Sequence, residues 1–198
     1  FSARFIPHRT ADPTWPSPGL RDIVFMSSRD GINFDRSFME SFIRPGMDFN
    51  NWHERGIGME RGILHTSHGE ISLFGMENKG LPTQRIRRYT LRTDGFVSVN
   101  AGYDGGTFIT PPFTFSGRNL EVNYSTSAVG SLKLEIQDSE STPLQYFTLE
   151  DCQEMFGDEI EGLVQWRSNP DLSTLAGKPV RLHVQLKDAD LFAFKFNG

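Results

Sequence analysis

The chain has 198 residues, a formal net charge of −5 and a single cysteine, which is length enough for one well-packed domain or two small ones without covalent staples. Acidic and basic residues are interspersed, which leaves no electrostatic footprint for nucleic acid or an anionic membrane surface. No apolar stretch approaches the roughly 20 residues of a membrane span, and Cys152 has no second thiol with which to form a bridge or a zinc pattern, so it reads as a small buried hydrophobe.

The chain opens Phe1-Ser2-Ala3-Arg4, with neither Met nor a signal peptide, and reads as a fragment or a processed chain. Seventeen Phe against four Tyr, with 19 Gly and 11 Pro, point to many short strands joined by turns and packed through aromatic rings. Residues 1–20 hold four prolines and are predicted to be an extended arm or connector, because proline lacks the amide donor and restricts the residue before it. Residues 21–92 are predicted to form hairpins. The first runs from Ile23 to Ser28, turns at Asp30-Gly31 and returns through Phe34, Phe38, Phe42 and Ile43. The loop Pro45 to Arg55 follows. The second hairpin joins Gly62–Thr66 to Glu70–Phe74 across Ser67-His68-Gly69. The third joins Ile86–Leu91 to Phe96–Val99 across Thr93-Asp94-Gly95, a turn pair suited to positive φ.

Residues 93–198 are predicted to be an antiparallel β-sandwich of jelly-roll or lectin-like type, so that the chain as a whole is all-β. Leu120, Val122 and Tyr124 alternate with Glu121 and Asn123, and Leu132, Leu134 and Ile136 alternate with Lys133 and Glu135. Val180, Leu182, Val184 and Leu186 alternate with Arg181, His183, Gln185 and Lys187, and a further strand, Leu191–Phe196, is placed after a turn at Asp188-Ala189-Asp190. Period two over such lengths means half-buried strands with one wet face. Leu163–Trp166 is another predicted strand, with short helical turns expected within Leu149–Phe156 and Leu172–Ala176.

The segment from Asn51 to Gly62 (Asn-Trp-His-Glu-Arg-Gly-Ile-Gly-Met-Glu-Arg-Gly) concentrates an aromatic plane, a guanidinium and carboxylates among glycines, a mixture able to stack on sugar faces and bind hydroxyls. Trp52, Arg55 and Glu60 are therefore the candidate ligand-binding residues. The competing reading is a loop whose Trp52 fills a core gap and whose charges are solvated. His65 and His68 flank a turn without a third ligand, and the acidic residues Glu150, Asp151, Glu154, Asp158, Glu159 and Glu161 lack calcium-loop spacing, so no metal site and no cofactor is assigned. No Gly-x-Ser-x-Gly elbow supports a serine hydrolase, and no residue is assigned a catalytic role.

Ser28-Arg29-Asp30-Gly31-Ile32-Asn33-Phe34 resembles the Ser-x-Asp-Gly-x-x-aromatic hairpin of carbohydrate-active β-propellers, in which Asp and Gly serve the turn and the aromatic packs beneath it. Together with Phe25-Met26-Ser27, the Arg87–Arg92 and Asp94–Val99 stretches and Leu175–Leu182, it resembles the C-terminal part of bacterial five-bladed β-propeller plus β-sandwich proteins related to glycoside hydrolase families 32 and 43. The resemblance implies blade-like hairpins followed by a supporting sandwich, an extracellular or periplasmic protein, and carbohydrate and the remainder of a parent polypeptide as partners. The catalytic motifs of family 32 do not match. The Asn-Asp-Pro motif is absent, Arg29-Asp30 is followed by Gly31 rather than Pro, and Asp151-Cys152 stands where a Glu-Cys motif is required. The expected function is an accessory region of a glycoside hydrolase-like protein, and the alternative is a freestanding carbohydrate-binding sandwich.

Overall fold

The computed structural model describes residues 1–53, 55–168 and 170–198; Glu54 of the predicted ligand segment lies outside them. The described chain is all-β, about 48% strand, with no helix of seven or more residues. No described helix is long and apolar enough to cross a membrane. The chain divides into two units, Phe1–Thr93 and Asp94–Gly198.

The first unit contains two antiparallel sheets. In one, β1 (Ser2–Ile6), β2 (Leu20–Val24) and β3 (Ser41–Ile43) lie in that order. The predicted arm thus begins as a sheet edge, and Pro7, Pro13, Pro16 and Pro18 fall in the loop between β1 and β2, where no ladder donor is required. The first hairpin is shorter than the apolar run predicted, since Phe34 to Glu40 lie outside any strand. Its turn is held by side chains instead. Asp30 Oδ1 accepts from the amides of Ile32 (2.8 Å) and Asn33 (2.7 Å) and from Ser28 Oγ (3.0 Å), which keeps this carboxyl well below the usual carboxylate range. Gly31 sits at φ +73°, open to glycine without steric cost. Ser27 and Asp35 exchange backbone hydrogen bonds across the base of the turn. Phe34, expected beneath the turn, is 49% exposed, and the ring contacts of this sheet are made by Phe1, Phe25 and Phe42 with Phe38 at their margin.

In the other sheet, β6 (Glu70–Glu77) is central: β4 (Ile57–Met59) and β5 (Leu64–Ser67) share one of its edges and β7 (Arg85–Arg92) runs along the other. The second predicted hairpin is β5–β6. The third is corrected: β7 pairs with β6 throughout its length, and the strand that follows Asp94-Gly95, β8 (Val99–Ala101), pairs within the second unit. Asp94 does adopt positive φ (57°), but the turn links the two units rather than two paired strands.

The second unit is an antiparallel β-sandwich formed by one curled five-stranded sheet, with β9 (Gly106–Ile109), β10 (Asn119–Asp138), β11 (Asp158–Leu163) and β12 (Val180–Asn197) beside β8. β10 and β12 make a long ribbon that bends once. Asn119–Thr126 pairs with Ala189–Asn197, and Ser131–Asp138 with Val180–Lys187. At the bend, residues 127–130 have no partner in the register and Asp188 takes φ 43°. Asp188 to Asp190 is therefore a corner within one strand, not the predicted hairpin turn, because β10 bends with it and the ladder resumes on the far side. The alternating apolar residues of both ribbon halves, with Phe147, Met155, Val164 and Trp166, form one buried core, as period-two patterning requires when a sheet folds onto itself. Phe113, Phe115, Phe194 and Phe196 add a second aromatic group.

Candidate functional site

Pairing of β1 with β2 sets Arg4 opposite Asp22 and Ile6 opposite Leu20. Residues two apart on a strand share a face, so these four line one side of a groove of about 620 Å³. Ser41, Arg44, Pro45 and Gly46 come from β3 and the loop after it, His8 and Arg9 from the loop after β1, Arg21 from β2 and Trp52 from the end of the β3 loop. The loop is tied internally. Asp48 caps a single 3-10 turn at Phe49–Asn51 by accepting from the Asn50 amide. Asn51 Nδ2 donates to Pro45 O (3.0 Å) and Trp52 Nε1 donates to Gly46 O (2.7 Å). These ties are short-range and set Trp52 within its own loop, while Asn51 and Asp48 carry the loop's long-range bonds to Asn78 and Arg85.

Among the described residues, four arginines line this groove against one carboxylate. Arg4 donates to both Asp22 oxygens and, through Nη1, to Met39 O (2.7 Å), so it is held in place and Asp22 is occupied. No acidic partner within ion-pair distance is found among the described residues for Arg9, Arg21 or Arg44. Arg21 keeps its Nε buried without a hydrogen-bond acceptor.

Of the three residues the sequence singled out, only Trp52 lines the groove. Arg55 is exposed, and its stem runs beside Gly80, where an added Cβ would lie 3.6 Å from Arg55 Cδ. Glu60 is exposed just beyond β4, its amide donating to Phe74 O (2.8 Å). His53, from the same segment, is buried and stacked on Trp15 with ring centroids 4.2 Å apart. The groove arginines escaped sequence reading because they meet through β1–β2 pairing across a 13-residue loop of residues 7–19. The legible signal was modest: Arg4 and Ile6 alternate in β1 as Leu20 and Asp22 do in β2.

A second polar cluster in the first unit centres on Glu77, whose side chain is only 3% exposed. Arg85 Nη2 (2.8 Å) and Arg87 Nη1 (2.7 Å) both bind it, and Arg85 also reaches Asp48 (3.0 Å). Burial pushes the Glu77 carboxyl up, but hydrogen bonds from Arg87 and Arg85 outweigh this and hold it below its ordinary value. With Asn78 donating its amide to Asn51 Oδ1 (2.9 Å) and its Nδ2 to Asp48, the cluster anchors the Trp52 loop to β6 and β7. It supports the groove from outside its lining.

The sandwich carries its own polar groups. Glu135, nearly buried, accepts from Gln137 Nε2 (2.8 Å) and the Leu149 amide (3.2 Å) and lies 3.1 Å from His183 Nδ1. Burial pushes its carboxyl up, and the hydrogen bonds bring it below the ordinary value. It fastens the loop at Leu149 to the ribbon. Cys152 is buried beneath the Leu134 amide, and burial pushes its thiol up, away from the thiolate that reactivity requires. Glu154, Glu159 and Glu161 line a shallow groove with Tyr124 and Phe156. Among the described residues no three His, Cys, Asp or Glu side chains converge as a metal site. Searches among protein families, curated proteins and solved structures give no match to this chain.

Proposed function

We propose that this chain is a carbohydrate-binding accessory region of a glycoside hydrolase-like protein, its first unit holding the saccharide and its sandwich serving as a support. The observation that carries the reading is the groove that joins Trp52 to apolar Ile6 and Leu20 and to a set of guanidinium donors. That combination suits the two faces of a sugar, an apolar ring plane and a polar rim. Glycosidic cleavage uses two carboxylates flanking the bond, whereas the one carboxylate lining the groove among the described residues, Asp22, is engaged by Arg4. The groove is therefore assigned binding and no acid–base role. Ile32, Phe34, Phe38, Met39, Met47 and Phe49 are exposed on the first unit, apolar surface that supports a protein partner for that unit, which the proposal identifies with the remainder of a parent polypeptide. The Asp30 turn and the sandwich support the same reading through the resemblance that they carry, and an extracellular or periplasmic setting follows from a polysaccharide ligand.

A glycan array of the wild type and Trp52→Ala tests the proposal. Binding to at least one glycan class is expected, with a loss of about tenfold or more in the variant, at unchanged circular dichroism. Absence of binding to every glycan overturns it. A freestanding module binds in the same assay but gains nothing from added propeller segments, which separates the alternative.

A further inference from the structure

We infer that the saccharide taken by this groove is acidic, bearing carboxylates or sulfate esters; the inference rests on the carbohydrate reading above. Neutral sugar hydroxyls both give and receive hydrogen bonds, and a site for them balances donors with acceptors. Guanidinium groups carry five N–H donors and no acceptor. In this groove Arg4, Arg9, Arg21 and Arg44 supply donors, while the one carboxylate among the described lining residues is already bound in two-point contact by Arg4. Ser41 donates its hydroxyl proton to Ile43 O (3.1 Å), which leaves its oxygen as one side-chain acceptor against the several guanidinium donors.

The charge points the same way. The chain is net negative, at −5, yet among the described residues this groove gathers four arginines against one aspartate. An excess of cations in a concave site focuses potential towards an anion, and the planar fork of arginine matches the two or three oxygens of a carboxylate or sulfate. Ile6, Leu20 and Trp52 supply the apolar surface that a sugar ring needs and that a free inorganic anion does not. The groove volume of about 620 Å³ lies within the range of small-ligand sites.

Isothermal titration of the full chain with four probes tests this: an oligogalacturonate for carboxylates, a heparin-derived oligosaccharide for sulfates, a neutral xylo-oligosaccharide and inorganic polyphosphate. The variants are Arg9→Ala and Arg44→Ala, both at exposed positions, with melting curves to verify folding. At least one acidic oligosaccharide is expected to bind about tenfold or more tightly than the neutral one, and each variant to lose about tenfold. Whichever acidic probe binds identifies the anionic group. A neutral oligosaccharide bound as tightly, and indifferent to both variants, overturns the acidic assignment and leaves the carbohydrate reading standing. Polyphosphate bound as tightly as the acidic sugars overturns the assignment in favour of a simple polyanion site. No binding by any probe overturns both.

Discussion

Glu77→Ala is expected to lower the stability of the first unit by about 3 kcal/mol. The substitution removes a carboxylate that is 3% exposed and receives hydrogen bonds from two arginines. The cost sits at the low end for a broken buried pair because Arg85 and Arg87 are about half exposed (50% and 58%) and regain water when the carboxylate goes. Tyr89 also loses its contact to Glu77 Oε1 (3.3 Å), and the Trp52 loop loses the fixed position of Arg85 against Asp48. Hydrogen exchange is the appropriate readout, since it reports each unit separately: protection should fall in β6 and β7 and stay unchanged in β10 and β12. The same carboxylate sets a pH dependence. Its folded pKa is depressed, so its stabilisation is complete above the pKa of an unfolded glutamate, about 4.3, and is lost as pH falls through the lower folded value. Wild-type β6–β7 protection should therefore drop on acidification below that pH, and the Glu77→Ala variant should show a weaker drop.

Gly130→Val is expected to cost the sandwich about 3 kcal/mol. A Cβ at position 130 would lie 2.4 Å from the carbonyl oxygen of Asp188 and 2.8 Å from that of Lys187. Both obstacles are backbone, so relief requires the ribbon to open at its bend. That bend brings the two halves of the ribbon onto one core, and Leu120, Leu134, Leu182 and Leu191 from both halves share it. Gly130→Ala should fall between wild type and Val. Chemical denaturation followed by the resolved nuclear magnetic resonance signal of the Trp166 indole N–H, which is 3% exposed and donates to Leu134 O, measures both.

Alternation made the sandwich legible from the sequence. Val180 to Leu186 and Leu132 to Ile136 bury the predicted residues, because period two is a property of each strand alone. Pairing and bending are not. Asp188-Ala189-Asp190 has turn composition, yet it lies in a strand whose partner supplies the slack at residues 127–130, and nothing near Asp188 in the chain announces that compensation. The same limit explains the third hairpin. Asp94-Gly95 forms a turn from local chemistry alone, whereas the partner of β7 was decided by β6, whose Ile71 and Leu73 are buried. In the groove, Trp52 was found because an aromatic among glycines and charges stands out in a short window. Arg4, Arg21 and Arg44 become neighbours only when β1, β2 and β3 pair. Arg55 and Glu60 share a segment with Trp52, but β4 begins between them at Ile57 and carries Glu60 onward.

The central claim is that saccharide binds in the groove of the first unit. An amide and indole nuclear magnetic resonance titration of the full chain with the glycans bound in the array tests it most directly. The Trp52 indole N–H, now donating to Gly46 O, and the amides of Ile6, Leu20 and Arg44 should shift together and saturate at one ligand per chain, while those of Leu134 and Val184 in the sandwich core stay in place. Shifts confined to the sandwich, or a Trp52 indole signal unmoved at saturation, would contradict the account.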